Sequence, residues 1–174
     1  MSSEIRNVRL ANDYQEMCNM RGKLLDWKVL KGVPPHVEEY ELYINLKSAI
    51  DTSSNFRTTH IVKVILPPAY PKKVPNIFML SVPKIAHPNW YQDGRWCNGS
   101  YNLRESLGTL VRRMMATIQF DPNFANPDSA ADSTVLTWYK RQLSLGMLPF
   151  DNTQLPDPKG SKLIIKKRTF KVKR

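Results

Sequence analysis

Two cysteines and three histidines are the side chains of this 174-residue chain best suited to bind a metal or attack a carbonyl. Cys18, Cys97, His36, His60 and His87 are scattered, with no Cys-x-x-Cys and no His-x-x-x-His, so the ligand spacing of a zinc site is absent. The seven glycines form no phosphate-cradling loop, and no Gly-x-Ser-x-Gly elbow of a serine hydrolase is present. What remains is thiol chemistry. Cys18 falls on the apolar side of a helical pattern and reads as a small buried hydrophobe. Cys97 lies between Trp96 and Asn98, close to the turn formers Gly94 and Gly99, where a rigid loop would present a thiol to a partner. No histidine adjoins it, so a base would have to come from elsewhere in the fold. On these residues alone, Cys97 stays open between a nucleophile and an ordinary loop cysteine.

The elements that must position this thiol follow from hydrophobic periodicity. Ser2, Ser3 and Glu4 predict a helix start, and Leu10, Ala11, Tyr14, Met17 and Cys18 share one face of a helix from about Ser3 to Met20. Arg6, Arg9, Asp13 and Glu16 lie on the other face, either solvated or available to a partner. Trp27 to Leu30 predicts a short strand ended by Gly32 and Pro34-Pro35. Tyr40, Leu42, Ile44 and Leu46 alternate with polar residues, as do His60, Val62, Val64 and Leu66, and Ile77 to Leu80 makes a fourth strand. Short loops between them predict an antiparallel meander. From Pro83 to Tyr101 there is no periodicity, yet the stretch is too aromatic for a floppy linker. Leu107, Leu110, Val111, Met114 and Ile118 then predict a helix ended by Asp121-Pro122. Asp128 reads as the cap of a last helix carrying Ala131, Val135, Trp138 and Gln142, stopped by Gly146 and Pro149. The fold class is α+β. Leu163 to Ile165 could add a short strand.

Composition narrows the class further. A hydrophobic fraction of 41% and an aromatic fraction of 10% suit a globular domain and exclude wholesale disorder. No apolar run reaches the ~18–20 residues of a membrane helix, and Met1 to Met20 shows no secretory pattern. Two cysteines exclude a disulfide scaffold and suit a reducing cytosol, so a cytoplasmic location is expected; the chain is separately expected to be a monomer. The formal charge is +11, but Lys159 to Arg174 holds eight basic residues and no acid; without it the charge is +3. The chain therefore divides into a core at 1–150 and a basic tail at 151–174. The tail is either solvated or a docking arm for an acidic surface, nucleic acid or membrane.

Motif order carries a more specific message. Pro67-Pro68-Ala69-Tyr70-Pro71 precedes His87-Pro88-Asn89, then Asp93-Gly94-Arg95, then Cys97, ten residues after the histidine. Asp121-Pro122-Asn123, Asn126-Pro127 and Ala130-Ala131 follow. Over roughly Ser2 to Leu145 this resembles the catalytic core of a ubiquitin-conjugating enzyme. The resemblance implies that Cys97 accepts the C-terminal carboxyl of ubiquitin, or of a ubiquitin-like modifier, from an activating enzyme as a thioester, and that a substrate lysine then attacks it. ATP would be used by the activating enzyme and no cofactor by this chain. Asn89 matches the asparagine that steadies the oxyanion or holds the loop that does so; His87 would brace the loop. Tyr91 falls where some members line the lysine channel, against a plainer reading as loop packing. Arg6 and Arg9 occupy the helix used by activating enzymes and ligases, a match by location only.

The chain also departs from the family. Where many members carry an acid before the last helix, to position the lysine, this sequence has Asn126; Asp128 is the nearest replacement, with Asp93, or the weaker amide itself, as further candidates. After Cys97 the usual leucine, acid and Trp-Ser-Pro-like segment are missing, and Lys72-Lys73 stand where an aromatic is common. Both segments belong to the family's surface for RING-type ligases, so a ligase would bind differently or be a dedicated partner. Such divergence suits a prokaryotic relative. An inactive variant acting as a scaffold is the alternative, although such variants typically lack the cysteine.

Overall fold

The computed structural model describes residues 3–53, 55–125 and 130–160. Helix α1 (Ser3–Met20) is followed by strands β1 (Leu25–Val33), β2 (His36–Ala49), β3 (Phe56–Ile65) and β4 (Asn76–Met79), then helices α2 (Leu107–Ile118) and α3 (Ser133–Ser144). The strands form one antiparallel sheet in the order β1-β2-β3-β4.

Alternation decides which face is buried. Tyr40, Leu42 and Ile44 are opposite Val29, Trp27 and Leu25 on one side and Val64, Val62 and His60 on the other. This face packs with Leu10, Met17 and Met20 of α1 and with the buried side of α2 into one core. The intervening residues carry cross-strand ion pairs on the outer face, Lys28 to Glu41 at 2.7 Å and Lys63 to Glu39 at 2.9 Å.

Several expectations change. The first strand runs from Leu25 to Val33, because Gly32, with φ near 93°, lets the main chain approach His36 and Val37 across the hairpin; the turn falls at Pro34-Pro35. Asp13, expected on a solvated face, is 1% exposed. Arg6 and Arg9 are half-buried, Arg6 paired with Glu38 at 3.0 Å and Arg9 with Asp13 at 2.8 Å. That side of α1 is covered because the segment entering α2 and Tyr70 close over it: Asp13 accepts from the Leu107 N–H at 2.9 Å and from the Tyr70 hydroxyl at 2.6 Å.

Helix α2 ends at Ile118, before Asp121-Pro122. Phe120 takes a left-handed φ of 61°, and the N–H groups of Phe120 and Asp121 donate back to Thr117 and Ala116, closing the helix as a Schellman turn. A phenylalanine occupies a position that favours glycine, and its ring is wholly buried against His87, Trp138 and Tyr139. The cap of α3 is Asp132, not Asp128: its carboxylate accepts from the Thr134 and Val135 N–H groups at 2.9 and 3.1 Å. Ala131 consequently precedes that helix, and its N–H donates to Pro88 O at 2.7 Å. Residues 151–160 cross α2 toward α1. Gln119 donates to the carbonyls of Asp151 and Thr153, Leu155 enters the core, and Asn19 donates to Pro158 O at 2.9 Å. Asn126, Asp128 and the proposed strand at Leu163 to Ile165 lie outside the described residues, as does the chain from 161 to 174.

Candidate functional site

The stretch from Ile85 to Cys97, aperiodic in sequence, is fastened along β4. Gly94 O accepts from Met79 N at 2.8 Å, Phe78 bridges to Arg95, and Trp96 N donates to Ile77 O at 3.0 Å. It then folds back on itself. Tyr91 N donates to Arg95 O at 2.9 Å, Trp90 bridges to Trp96, and Cys97 N donates to Asn89 O at 2.7 Å. Glycine is required at the tip: Gly94 has φ near 91°, and a Cβ there would lie 2.6 Å from Met79 O. Trp90 anchors the base, 2% exposed, its indole N–H on the Thr117 hydroxyl at 3.0 Å.

Asn89 and Cys97 are thus main-chain neighbours across this fold-back. The Cys97 thiol is free and half-buried. Asn89 is 5% exposed, and its side-chain amide donates to Cys97 O at 3.4 Å. His87 lies beneath them, fully buried. Its Nδ1 accepts from Asn89 N–H at 3.1 Å, which makes Nε2 the protonated nitrogen. Burial pushes its pKa down to about 3, so the imidazole is neutral at physiological pH. The ring meets Phe120 and Tyr139 edge-on, at centroid distances of 4.9 and 5.6 Å.

Tyr91 and Asp93 lie at the outer side of the fold-back. The Arg95 guanidinium covers the Tyr91 ring at 4.6 Å and pairs with Asp93 at 2.6 Å. Tyr91, Asp93 and Arg95 share a groove of about 390 Å³ with Asp132 and Thr134 at the start of α3. Asp132 carries more than its cap: Gln92 donates to its second oxygen at 2.9 Å, and this bond and the two helix N–H groups hold its carboxyl below the usual aspartate range. Asp132, which Gln92 ties to this loop, is absent from the sequence expectations; the signal that could have found it is modest, an aspartate directly before Ser133-Thr134.

The segment after Cys97 is held by side chains. Arg113 donates to the Asn98 and Ser100 carbonyls, Arg9 to those of Leu103 and Glu105, and the Tyr101 hydroxyl to Pro71 O at 3.1 Å. Nothing in the periodicity singled out Arg113. Lys72 and Lys73 are exposed on the neighbouring loop and make no ion pair among the described residues. Arg9 spends its donors internally, on Asp13, Tyr70 and two carbonyls. Cys18 is half-buried against the core, apart from this site. Among the described residues no three His, Cys, Asp or Glu side chains group closely enough to hold a metal ion, and no helix is long and apolar enough to cross a membrane.

No sequence-family profile matches the chain, and no curated protein matches it. A solved structure does. The crystal structure of a Plasmodium yoelii protein assigned as a ubiquitin conjugating enzyme superposes with a TM-score of 0.57 over 84% of this chain and 90% of its own, at 21% identity. The chain therefore has a ubiquitin-conjugating-enzyme-like fold: an N-terminal helix, a four-stranded antiparallel sheet and C-terminal helices.

Proposed function

We propose that this chain is an acyl transferase of the ubiquitin-conjugating type, with Cys97 as its nucleophile. The observation that carries the reading is the pairing of Cys97 with Asn89. Cys97, free and half-buried, is joined to Asn89 by a main-chain hydrogen bond of 2.7 Å, and the buried Asn89 carboxamide donates to Cys97 O, on a loop clamped to β4.

In the first step the Cys97 thiolate attacks the thioester carbonyl of a modifier carried by an activating enzyme. A new C–S bond forms, the activating enzyme's sulfur leaves and takes up a proton, and ubiquitin or a ubiquitin-like protein is transferred without further ATP. In the second step a neutral lysine amine of a substrate attacks the same carbonyl. The tetrahedral intermediate expels the Cys97 sulfur, and the proton lost by the amine goes to the thiolate or to water. Asn89, whose amide donates to Cys97 O, braces the loop and would offer a donor to the oxyanion. His87, neutral and buried, supports Asn89 and is no base.

A lysine of pKa ~10.4 must shed its proton before it attacks. Asn126 stands where an acid is usual, and we assign that task to Asp128; wild-type lysine discharge in Asp128→Asn across pH 7 to 9 would refute the assignment. Lys72 and Lys73, exposed and without an ion pair among the described residues, suit an acidic patch on a RING-type ligase.

The test uses the purified chain with an activating enzyme, ATP and ubiquitin, run with and without reductant. A reductant-sensitive adduct that disappears in Cys97→Ala is the expected result. A chain that never forms one is a scaffold, not a transferase.

A further inference from the structure

Nine residues separate Cys97 from the start of α2 at Leu107, and this stretch owes little to the backbone. Within it one main-chain bond stands out, Glu105 N to Asn102 O at 2.8 Å. A segment whose carbonyls are not paired in a ladder must satisfy them some other way. Here one guanidinium does much of it. Arg113, on the second turn of α2, donates to Asn98 O, reaches Ser100 O at 3.4 Å, and lies 5.3 Å from the centre of the Trp96 ring. Its orientation is set by Glu105, which accepts from Nε and Nη2 at 2.9 Å each. The pair is largely covered, with side-chain exposures of 23% and 13%. Trp96 and Asn98 are the two residues that flank Cys97.

We propose that Arg113 is a positioning residue for Cys97, holding the chain on both sides of the thiol while Asn89 holds Cys97 itself. The planar fork matters: five donors in fixed geometry can serve a carboxylate edge-on and two carbonyls at once, which an ammonium cannot. Glu105 is the second part of the device, since it fixes the fork. Through the bonds from Arg9 to Leu103 O and Glu105 O, the same loop is tied to α1. The inference deepens the transferase reading, but its first readout does not depend on it.

That readout is the rate of Cys97 alkylation by iodoacetamide, followed by mass spectrometry in a Cys18→Ala background. Arg113→Met and Arg113→Lys are each expected to raise it at least about threefold, because the half-buried sulfur opens more often when its loop is released. Glu105→Gln should fall between. Arg104→Ala, an exposed neighbour whose side chain makes no hydrogen bond or ion pair among the described residues, should change nothing. The second readout is discharge of the ubiquitin-charged protein to free lysine: kcat is expected to fall ~10-fold or more in both Arg113 variants, with KM for lysine unchanged, as for a misplaced nucleophile. If Arg113→Met does not fold, Arg113→Lys carries the test.

Unchanged alkylation in a folded Arg113→Lys, or discharge at the wild-type rate, overturns the proposal and leaves the transferase reading intact. Altered alkylation in a protein that accepts no ubiquitin leaves Arg113 as the loop's positioning residue and removes the transferase reading.

Discussion

Asp13→Asn probes the joint that ties α1 to the segment after Cys97. The Asp13 carboxylate is 1% exposed and takes three donors: Arg9 Nε at 2.8 Å, the Tyr70 hydroxyl at 2.6 Å and the Leu107 N–H at 2.9 Å. The last is one of the unpaired donors at the start of α2, where a negative charge also opposes the helix dipole favourably. The asparagine oxygen can still accept from Leu107, but its NH₂ then faces two donors and the Arg9 charge loses its partner. Breaking a buried pair costs about 3–5 kcal/mol. Arg9 is 17% exposed at its side chain and keeps its carbonyl acceptors, so the low end, about 3 kcal/mol, is expected. For a domain of this size that lowers Tm by roughly 6–12 °C. Differential scanning calorimetry measures it, with Tyr70→Phe and the double variant completing a cycle. Tyr70→Phe alone should cost about 1.5–3 kcal/mol, as a hydrogen bond to a charged group, and the two changes should be strongly non-additive. A Tm for Asp13→Asn within about 2 °C of wild type, less than one kcal/mol on the same scale, would show that this carboxylate is not the joint described.

Three further outcomes follow from the site and its supports. The His87 pKa is lowered to about 3 from 6.5, so the unfolded chain binds the extra proton: its contribution to stability is complete above pH 6.5 and is lost as pH falls toward 3. Urea titrations of wild type and His87→Gln should differ in slope by about 1.4 kcal/mol per pH unit near pH 5, and parallel curves would contradict a neutral buried imidazole. Asp132→Ala should lower stability by ~0.5–2 kcal/mol through its two cap bonds, whereas Asp132→Asn, which keeps a side-chain acceptor, should lose less; thermal melts separate the two. Deleting 161–174 should leave both melting and thioester formation as in the full chain, while deleting 151–174 should cost at least about 2 kcal/mol, because Leu155 leaves the core and Gln119 loses two acceptors. Equal stability of the two truncations would mean that residues 151–160 contribute nothing to the packed domain.

Much of the fold was written in the order of residue types. Alternation placed Tyr40, Leu42, Ile44, Leu46, His60, Val62 and Val64 on the buried face, and all seven are buried. Three-to-four spacing did the same for Leu107, Leu110, Val111, Met114 and Ile118. These patterns are local, because a strand or helix repeats its facing every two or 3.6 residues whatever it later packs against. The resemblance of the His87-Pro88-Asn89 and Cys97 pattern to the conjugating-enzyme family likewise marked a candidate site before any geometry was known. What the pattern could not carry was everything that depends on a second segment arriving. Asp13 and Arg9 have the local signature of a solvated helix face; they are enclosed because Tyr70 and the start of α2, both far along the chain, close over them. Asp128 and Asp132 are equally good caps by type, and the Ala131 bond to Pro88 and the Gln92 bond to Asp132 mark where the last helix begins. Phe120 holds a backbone conformation that favours glycine because three aromatic or imidazole rings from elsewhere surround it. The hold of Arg113 on the chain around Cys97 exists only when α2 is laid beside that loop. Element type and facing came from nearest-neighbour sterics and burial, whereas charge placement and the presentation of the thiol came from long-range contacts that no local repeat encodes.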